Sequence, residues 1–220
     1  QMFNQNYRLQ LLEKDMEVQL LQTQLDPHFL YNTLDIIYYL AREHQAQDIS
    51  DIVLALCNLS RASISQKESL VTVAEDLDFA NNYLTIIRIR FGKKLTITID
   101  LDESVLAYRI PKLTLQPILE NAIQHGLEKR SGHWKIDIHG TIQNGYAAIS
   151  VSDNGVGIPP ERLQEIQSNT LSGDQSHAHI GLSSLTKRLQ LLLGPRATLS
   201  IQSVHNEGTT IFLMLPPEVK

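Results

Sequence analysis

Asp153-Asn154-Gly155-Val156-Gly157 closes the strand-like run Ala148-Ile149-Ser150-Val151 and decides the fold by virtue of its neighbours. Upstream lies Leu119-Glu120-Asn121-Ala122-Ile123-Gln124-His125-Gly126. Downstream lies Ile180-Gly181-Leu182, then Thr209 ahead of the last strand-like run. An Asp-x-Gly-x-Gly stretch alone marks only a chain reversal, because glycine tolerates positive φ. The three motifs in this order outline a pocket. Its parts are a carboxylate that can accept an amine proton, glycines that admit backbone close to a ligand, and an amide oxygen suited to a hard cation.

The 220 residues suit one or two domains, and a hydrophobic share of 42% supplies a core. The net charge of −5 and the lack of a basic run give no support for nucleic-acid or anionic-membrane binding. The single cysteine, Cys57, excludes an internal disulfide and sits in an apolar helical pattern, which predicts a buried structural thiol. No apolar run reaches membrane-spanning length and no signal peptide is visible. The chain opens in mid-helix pattern and reads as a piece of something longer.

Two parts are expected, with a boundary near 67–71. Residues 1–43 read as one long helix. Leu11, Val18 and Leu25 recur at seven with Leu21 between, which predicts a coiled-coil entry. Ile49, Ile52, Leu56 and Leu59 predict a second helix over 49–66, with Asp48 as N-cap. The short connection makes these an antiparallel hairpin with one bare apolar face, which two copies would bury as a four-helix bundle. The second part is expected to be α/β. Its helices fall at 75–91, 111–126 (opened by Pro111) and 181–193; its strands fall at 94–101, 134–142, 145–153, 197–204 and 208–215. The polar stretch 158–180 reads as a mobile loop between two motifs, where a lid belongs.

In the pocket, Asp153 can accept a hydrogen bond from an exocyclic amine such as adenine N6. Gly155 and Gly157 keep the base slot free of side chains. Asn121, in an otherwise apolar helix pattern, offers an oxygen to Mg²⁺; its bland alternative is a bond to neighbouring backbone. Gly181 opens a helix whose free N–H groups can hold phosphate. Arg130, Lys187 and Arg188 are candidates to add charge there, or are solvated surface residues. The ligand implied is ATP with Mg²⁺.

These motifs resemble the ATP-binding domain shared by histidine kinases, gyrase, heat-shock chaperones and mismatch-repair ATPases. Gln116 to Gly126 is most similar to the N box of sensor histidine kinases, in the YesM/LytS-like branch, and the resemblance runs from about Gln22 to Pro216. It implies nucleotide-binding roles for Asn121, His125, Asp153, Gly155, Gly157, Gly181, Leu182, Arg188 and Thr209; for His125 a structural C-cap role before Gly126 is the equal alternative. Superfamily members that hydrolyse ATP are expected to carry a Glu one turn before the Asn. Here that position is Pro117, which cannot act as a base, so the phosphoryl group needs another acceptor than water.

Asp26-Pro27-His28-Phe29-Leu30-Tyr31-Asn32 supplies one. Gln24, His28, Asn32 and Asp35 share one helical face, while Leu25, Phe29, Ile36 and Leu40 share another. His28 is thus expected on the exposed flank, and a neutral imidazole is a competent nucleophile near neutral pH. The segment resembles the phosphoacceptor signature of the same branch, with Asn32 as an orienting partner. Two departures stand out. His179 occupies the position where the family's Gly-x-Gly-Leu has its first glycine. Phe29 follows the acceptor where other branches place an acidic base, and Glu120 is the residue named here for taking the imidazole proton. His177 and His179 lack any further cluster that would make a metal site. The resemblance implies a dimeric sensor kinase portion on the cytoplasmic side of the membrane. Its parent would be membrane-anchored and its partner a response-regulator receiver aspartate. The rival reading is a non-catalytic nucleotide-sensing scaffold of the same fold.

Overall fold

The computed structural model describes residues 27–64, 69–172 and 180–217. The chain forms two compact units, Gln1–Cys57 and Asn58–Lys220. The expected coiled-coil entry, with Gln24 and Leu25, lies outside the described residues.

In the first unit, α1 (Pro27–Glu43) runs into α2 (Gln47–Ile64) through a tight turn. Gln45 provides the reversal with a positive φ of 56°. The second helix starts at Gln47, so Asp48 falls in its first turn, where a carboxylate suits the helix dipole. The two helices meet through Leu34, Val53 and Cys57, with Tyr38 against them. Cys57 is buried, as the apolar pattern predicts. Ile36, Leu40 and Ile49 remain 60%, 49% and 51% exposed, so the hairpin buries one apolar face and leaves a second uncovered.

The second unit is an α/β sandwich. Its five-stranded sheet has the order β2-β4-β5-β7-β6, from β2 (Leu95–Leu101), β4 (Trp134–Gln143), β5 (Tyr146–Asp153), β6 (Thr198–Val204) and β7 (Gly208–Leu215). β2 and β4 are parallel and every other pair is antiparallel. The period-2 pattern sets the faces. Ile136, Ile138, Ile149, Val151 and Leu213 point into the core, while Lys135 and His139 face outward. The β4–β5 hairpin turns on Asn144-Gly145, both at positive φ, as a two-residue Asn-Gly turn requires.

The core on the inner face is closed by α3 (Val73–Phe91), α5 (Leu115–Asn121), α6 (Pro160–Ser172) and α7 (Ile180–Leu193). α3 opens on a capping box: Glu75 N–H donates to Thr72 Oγ1, and Thr72 N–H donates to Glu75 Oε2. A short helix, α4 (Glu103–Leu106), follows β2.

Three expectations change. Pro111 does not open a helix; it ends β3 (Arg109–Pro111), which pairs with β1 (Leu70–Thr72). Backbone pairing claims it first, and the chain then turns at Leu113, φ 59°, before α5 begins at Leu115. α5 then continues into one π turn, Ala122–Leu127, instead of a regular helix to 126. The stretch read as a loop over 158–180 is helical from Pro160 to Ser172. Pro160 at the first helical position and Glu161 behind it are helix-start signals that the polar composition masked.

Candidate nucleotide site

A cavity of about 240 Å³ opens on the helical side of the sheet. β5 and β7 contribute Val151, Asp153, Thr209 and Ile211; α5 and its π turn contribute Ile118, Asn121, Ala122, His125 and Gly126. Gly157, Ile158, Arg162, Ile166 and Leu182 close the other side. The walls are apolar and the polar groups few, as in small-molecule sites generally.

Asp153 sits at the end of β5 with its backbone in register with Thr209. Gly155 N–H donates to Asp153 Oδ1 at 2.7 Å. Burial raises its pKa from 3.8 to about 6, against the opposing pull of the Gly155 and Thr209 backbone N–H groups. A carboxylate so placed is starved of water and gains from an amine donor.

The glycines do more than clear a slot. Gly155 does not line the cavity; a Cβ there would run into the backbone of Gly126. A Cβ on Gly126 would in turn meet Asp153 Oδ1 at 2.7 Å. The Asp153 turn and the π turn are therefore packed backbone to backbone. Gly157, at φ 63°, lies equally close to the Val204 carbonyl.

Asn121 ends α5 and lines the cavity. Its Nδ2 donates to the Pro117 carbonyl at 2.7 Å. The bland reading and the functional one coexist here: spending the amide nitrogen on backbone fixes which way the amide oxygen can accept. His125 lies in the π turn and reaches the cavity, as do Leu182 and Thr209. Gly181 lies in the first turn of α7. Glu120 is not among the lining residues; it accepts from Gln116 Nε2 at 2.8 Å.

Two arginines stand elsewhere than in the cavity. Arg130 donates to the carbonyls of Asn154, Gly155 and Asn206, and so staples the Asp153 turn to the β6–β7 turn. Arg188 donates to the Leu113 carbonyl at 2.9 Å. Lys187 is exposed on α7. Arg162 and Ile166 do line the cavity and were missed in the sequence, because they fall on the helix read as loop.

His28 lies in the first turn of α1, and Asn32, one turn later, is exposed. His179 lies outside the described residues.

Comparison with known proteins agrees with this geometry. Residues 16–95 match the histidine kinase family, and residues 109–219 match the histidine kinase-, DNA gyrase B- and HSP90-like ATPase family. The chain belongs to the sensor histidine kinases. Within them it falls in the YesM/LytS-like branch. It is 39% identical to the sensor histidine kinase YesM of Bacillus subtilis over 98% of its own length. It is 32% identical to the sensor protein LytS of Oceanobacillus iheyensis over 95% of its length. It spans 36% of each of those two kinases. Among solved structures, the catalytic domain of histidine kinase ThkA is similar in fold, with a TM-score of 0.50 and 20% identity. That match covers 68% of this chain and 97% of that domain.

Proposed function

We propose that this chain is the catalytic portion of a sensor histidine kinase: it binds ATP·Mg²⁺, transfers the γ-phosphoryl group to His28, and passes it to a response-regulator aspartate. The observation that carries the reading is a half-buried carboxylate, Asp153, set at the end of β5 in an apolar cavity that also presents Asn121. The residues fit an adenine nucleotide. Asp153 accepts the exocyclic amine, Ile118, Val151, Ile166 and Ile211 sandwich the base, and Gly126, where a Cβ would meet Asp153 Oδ1, leaves that carboxylate open to it. Asn121 offers its oxygen to the metal, Thr209 stands beside Asp153 at the base, and His125, Gly181 and Leu182 are assigned to the phosphates.

Mg²⁺ held through the Asn121 oxygen would supply charge neutralisation at the phosphates. The chain's own task is positioning. Pro117 stands where a water-activating Glu would be needed and has neither base nor N–H, which disfavours hydrolysis. His28, on a helix with Asn32 exposed beside it, supplies a neutral imidazole instead, with Glu120 proposed to take its proton.

In this reading residues 1–68 dimerise and carry the acceptor, and residues 69–220 bind the nucleotide. The uncovered face with Ile36, Leu40 and Ile49 supports a two-fold homodimer built as a four-helix bundle. No helix among the described residues is long and apolar enough to cross a membrane; anchoring, with this portion on the cytoplasmic side, is proposed for the parent protein.

Incubation with γ-labelled ATP tests the reading. Acid-labile, base-stable label is expected on the wild-type chain and none on His28→Gln. A chain that binds ATP and acquires no label would instead be a nucleotide-sensing scaffold, the alternative that Phe29 and His179 favour.

A further inference from the structure

Asp76 is the one fully buried carboxylate among the described residues, and it lies outside the nucleotide cavity. It sits in the first turn of α3, and both oxygens face the start of α5. Thr114 N–H donates to Oδ1 and Oδ2 at 3.2 and 3.1 Å, and Leu115 N–H donates to Oδ2 at 2.8 Å. A helix start needs such acceptors, but they usually come from the residue next door. Here the local candidate is diverted: Thr114 Oγ1 donates to the Pro111 carbonyl at 2.5 Å. The cap is imported from a helix 38 residues away.

Burying a carboxylate is costly, and burial does push its pKa up to about 6 in spite of these donors. A local hydroxyl would cap the helix with less penalty. What the distant carboxylate adds is a fixed position for α5 relative to α3. α5 and its π turn together run only from 115 to 127, a length at which an isolated helix is marginal. From α7, Arg188 donates to the Leu113 carbonyl at 2.9 Å, and its charge also acts on Asp76. The far end of α5 is Asn121, whose amide is oriented by Pro117 within the same turn.

We propose that Asp76 and Arg188 are a pair of positioning residues that clamp residues 113–115 between α3 and α7 and so aim Asn121 at the metal-phosphate end of the cavity. Asp76 acts through α5 and touches no ligand. Arg188 serves the same clamp and does not contact phosphate.

The proposal rests on the nucleotide reading above, so the experiment has one arm that does not need it. Hydrogen exchange by mass spectrometry on the whole nucleotide-free chain follows residues 112–127. Asp76→Asn, which keeps one oxygen acceptor, is expected to stay folded and to exchange about tenfold faster there. Arg188→Met, which loosens the clamp from the other side, serves if the first variant fails to fold. In the second arm ADP is titrated with and without Mg²⁺. Either variant is expected to lose about fivefold or more of the affinity gained from Mg²⁺, because Asn121 is misaimed, while Mg²⁺-free affinity set at Asp153 changes little. Unchanged exchange at 112–127 in both variants overturns the clamp. An Arg188→Met chain that exchanges normally but binds ADP weakly without Mg²⁺ overturns the assignment of Arg188 and makes it a phosphate contact. A wild-type chain that binds no ADP overturns the nucleotide reading and the aiming of Asn121, and leaves the exchange arm to decide the clamp.

Discussion

Asp153 and Asp76 are both raised from 3.8 to about 6, with burial the first cause in each. A carboxyl whose folded pKa exceeds its unfolded value holds its proton more tightly in the fold. The stability it contributes is therefore complete below 3.8 and is lost as pH rises through about 6. Asp153→Asn keeps an oxygen for the Gly155 N–H and removes the buried charge. The nucleotide-free variant should gain roughly 1–2 kcal/mol at neutral pH, allowing for the carboxylate's partial exposure. Its unfolding free energy should also vary less with pH through that window; denaturant titrations at several pH values measure both. The same variant should bind adenine nucleotide about 1.5–3 kcal/mol more weakly, since a charged acceptor is lost. Wild-type affinity should likewise fall as pH drops through about 6, and calorimetry on either side of that value checks it. Unchanged ATP binding in the Asp153 variant would mean that the carboxylate does not read the base. Asn121→Ala should leave Mg²⁺-free nucleotide binding largely intact and abolish Mg²⁺-dependent labelling of His28.

At the scale of elements, the nucleotide site is a set of turns pinned to one another rather than a single loop. Arg130 holds the turn after β5 and the turn between β6 and β7 through three carbonyls. Arg130→Met should destabilise the second unit by about 1.5–3 kcal/mol, the range for hydrogen bonds to a charged group. It should weaken nucleotide binding as a consequence, because the Asp153 turn loses its staple; urea unfolding with and without ADP separates the two effects. Gly155→Ala should cost about 1–3 kcal/mol or more, because the new Cβ meets the Gly126 backbone, which cannot move aside as a side chain would. In the sequence Arg130 and Arg188 are either charge for phosphate or solvated surface residues. Each has carbonyl partners brought close only by the fold, and sequence spacing carries no sign of that. Arg162 illustrates the converse. It lines the cavity from a helix whose polar composition reads as loop, although Pro160 and Glu161 mark its start.

For the whole molecule, the uncovered apolar face of the helical hairpin is the basis of the proposed dimer. Ile36, Leu40 and Ile49 are exposed in the single chain, apolar side chains that a second copy would cover in the proposed bundle. Light scattering at micromolar concentration should report a dimer, and Ile36→Asp should shift it toward monomer. A wild-type chain that stays monomeric would remove the basis for the bundle. Mixing His28→Gln with Asn121→Ala subunits then reads the direction of transfer. Restored label means transfer between chains. No label, with heterodimers verified, means transfer within one chain.

The sequence by itself determined which elements exist and which motifs meet. Period-2 alternation placed β2, β4, β5, β6 and β7 within a residue or so of their observed ends. The helix readings put α7 within one residue of its observed start and α2 and α3 within two of theirs. Asp153, Asn121, His125, Gly157, Leu182 and Thr209 were legible as one site because each belongs to a local motif, and all six line the cavity. Only the tertiary structure decided what depends on contacts between distant residues. Pro111 became strand because β1 lies beside it, and α5 begins where the Asp76 carboxylate meets it. Arg130 staples two turns because three carbonyls converge on it, Arg188 reaches the Leu113 carbonyl, and Gly155 is glycine because Gly126 packs against it. Local patterns record the chain's preference for a conformation. Hydrogen bonds and close packing across long sequence separations are fixed only when the chain has folded, and here they set the aim of the site.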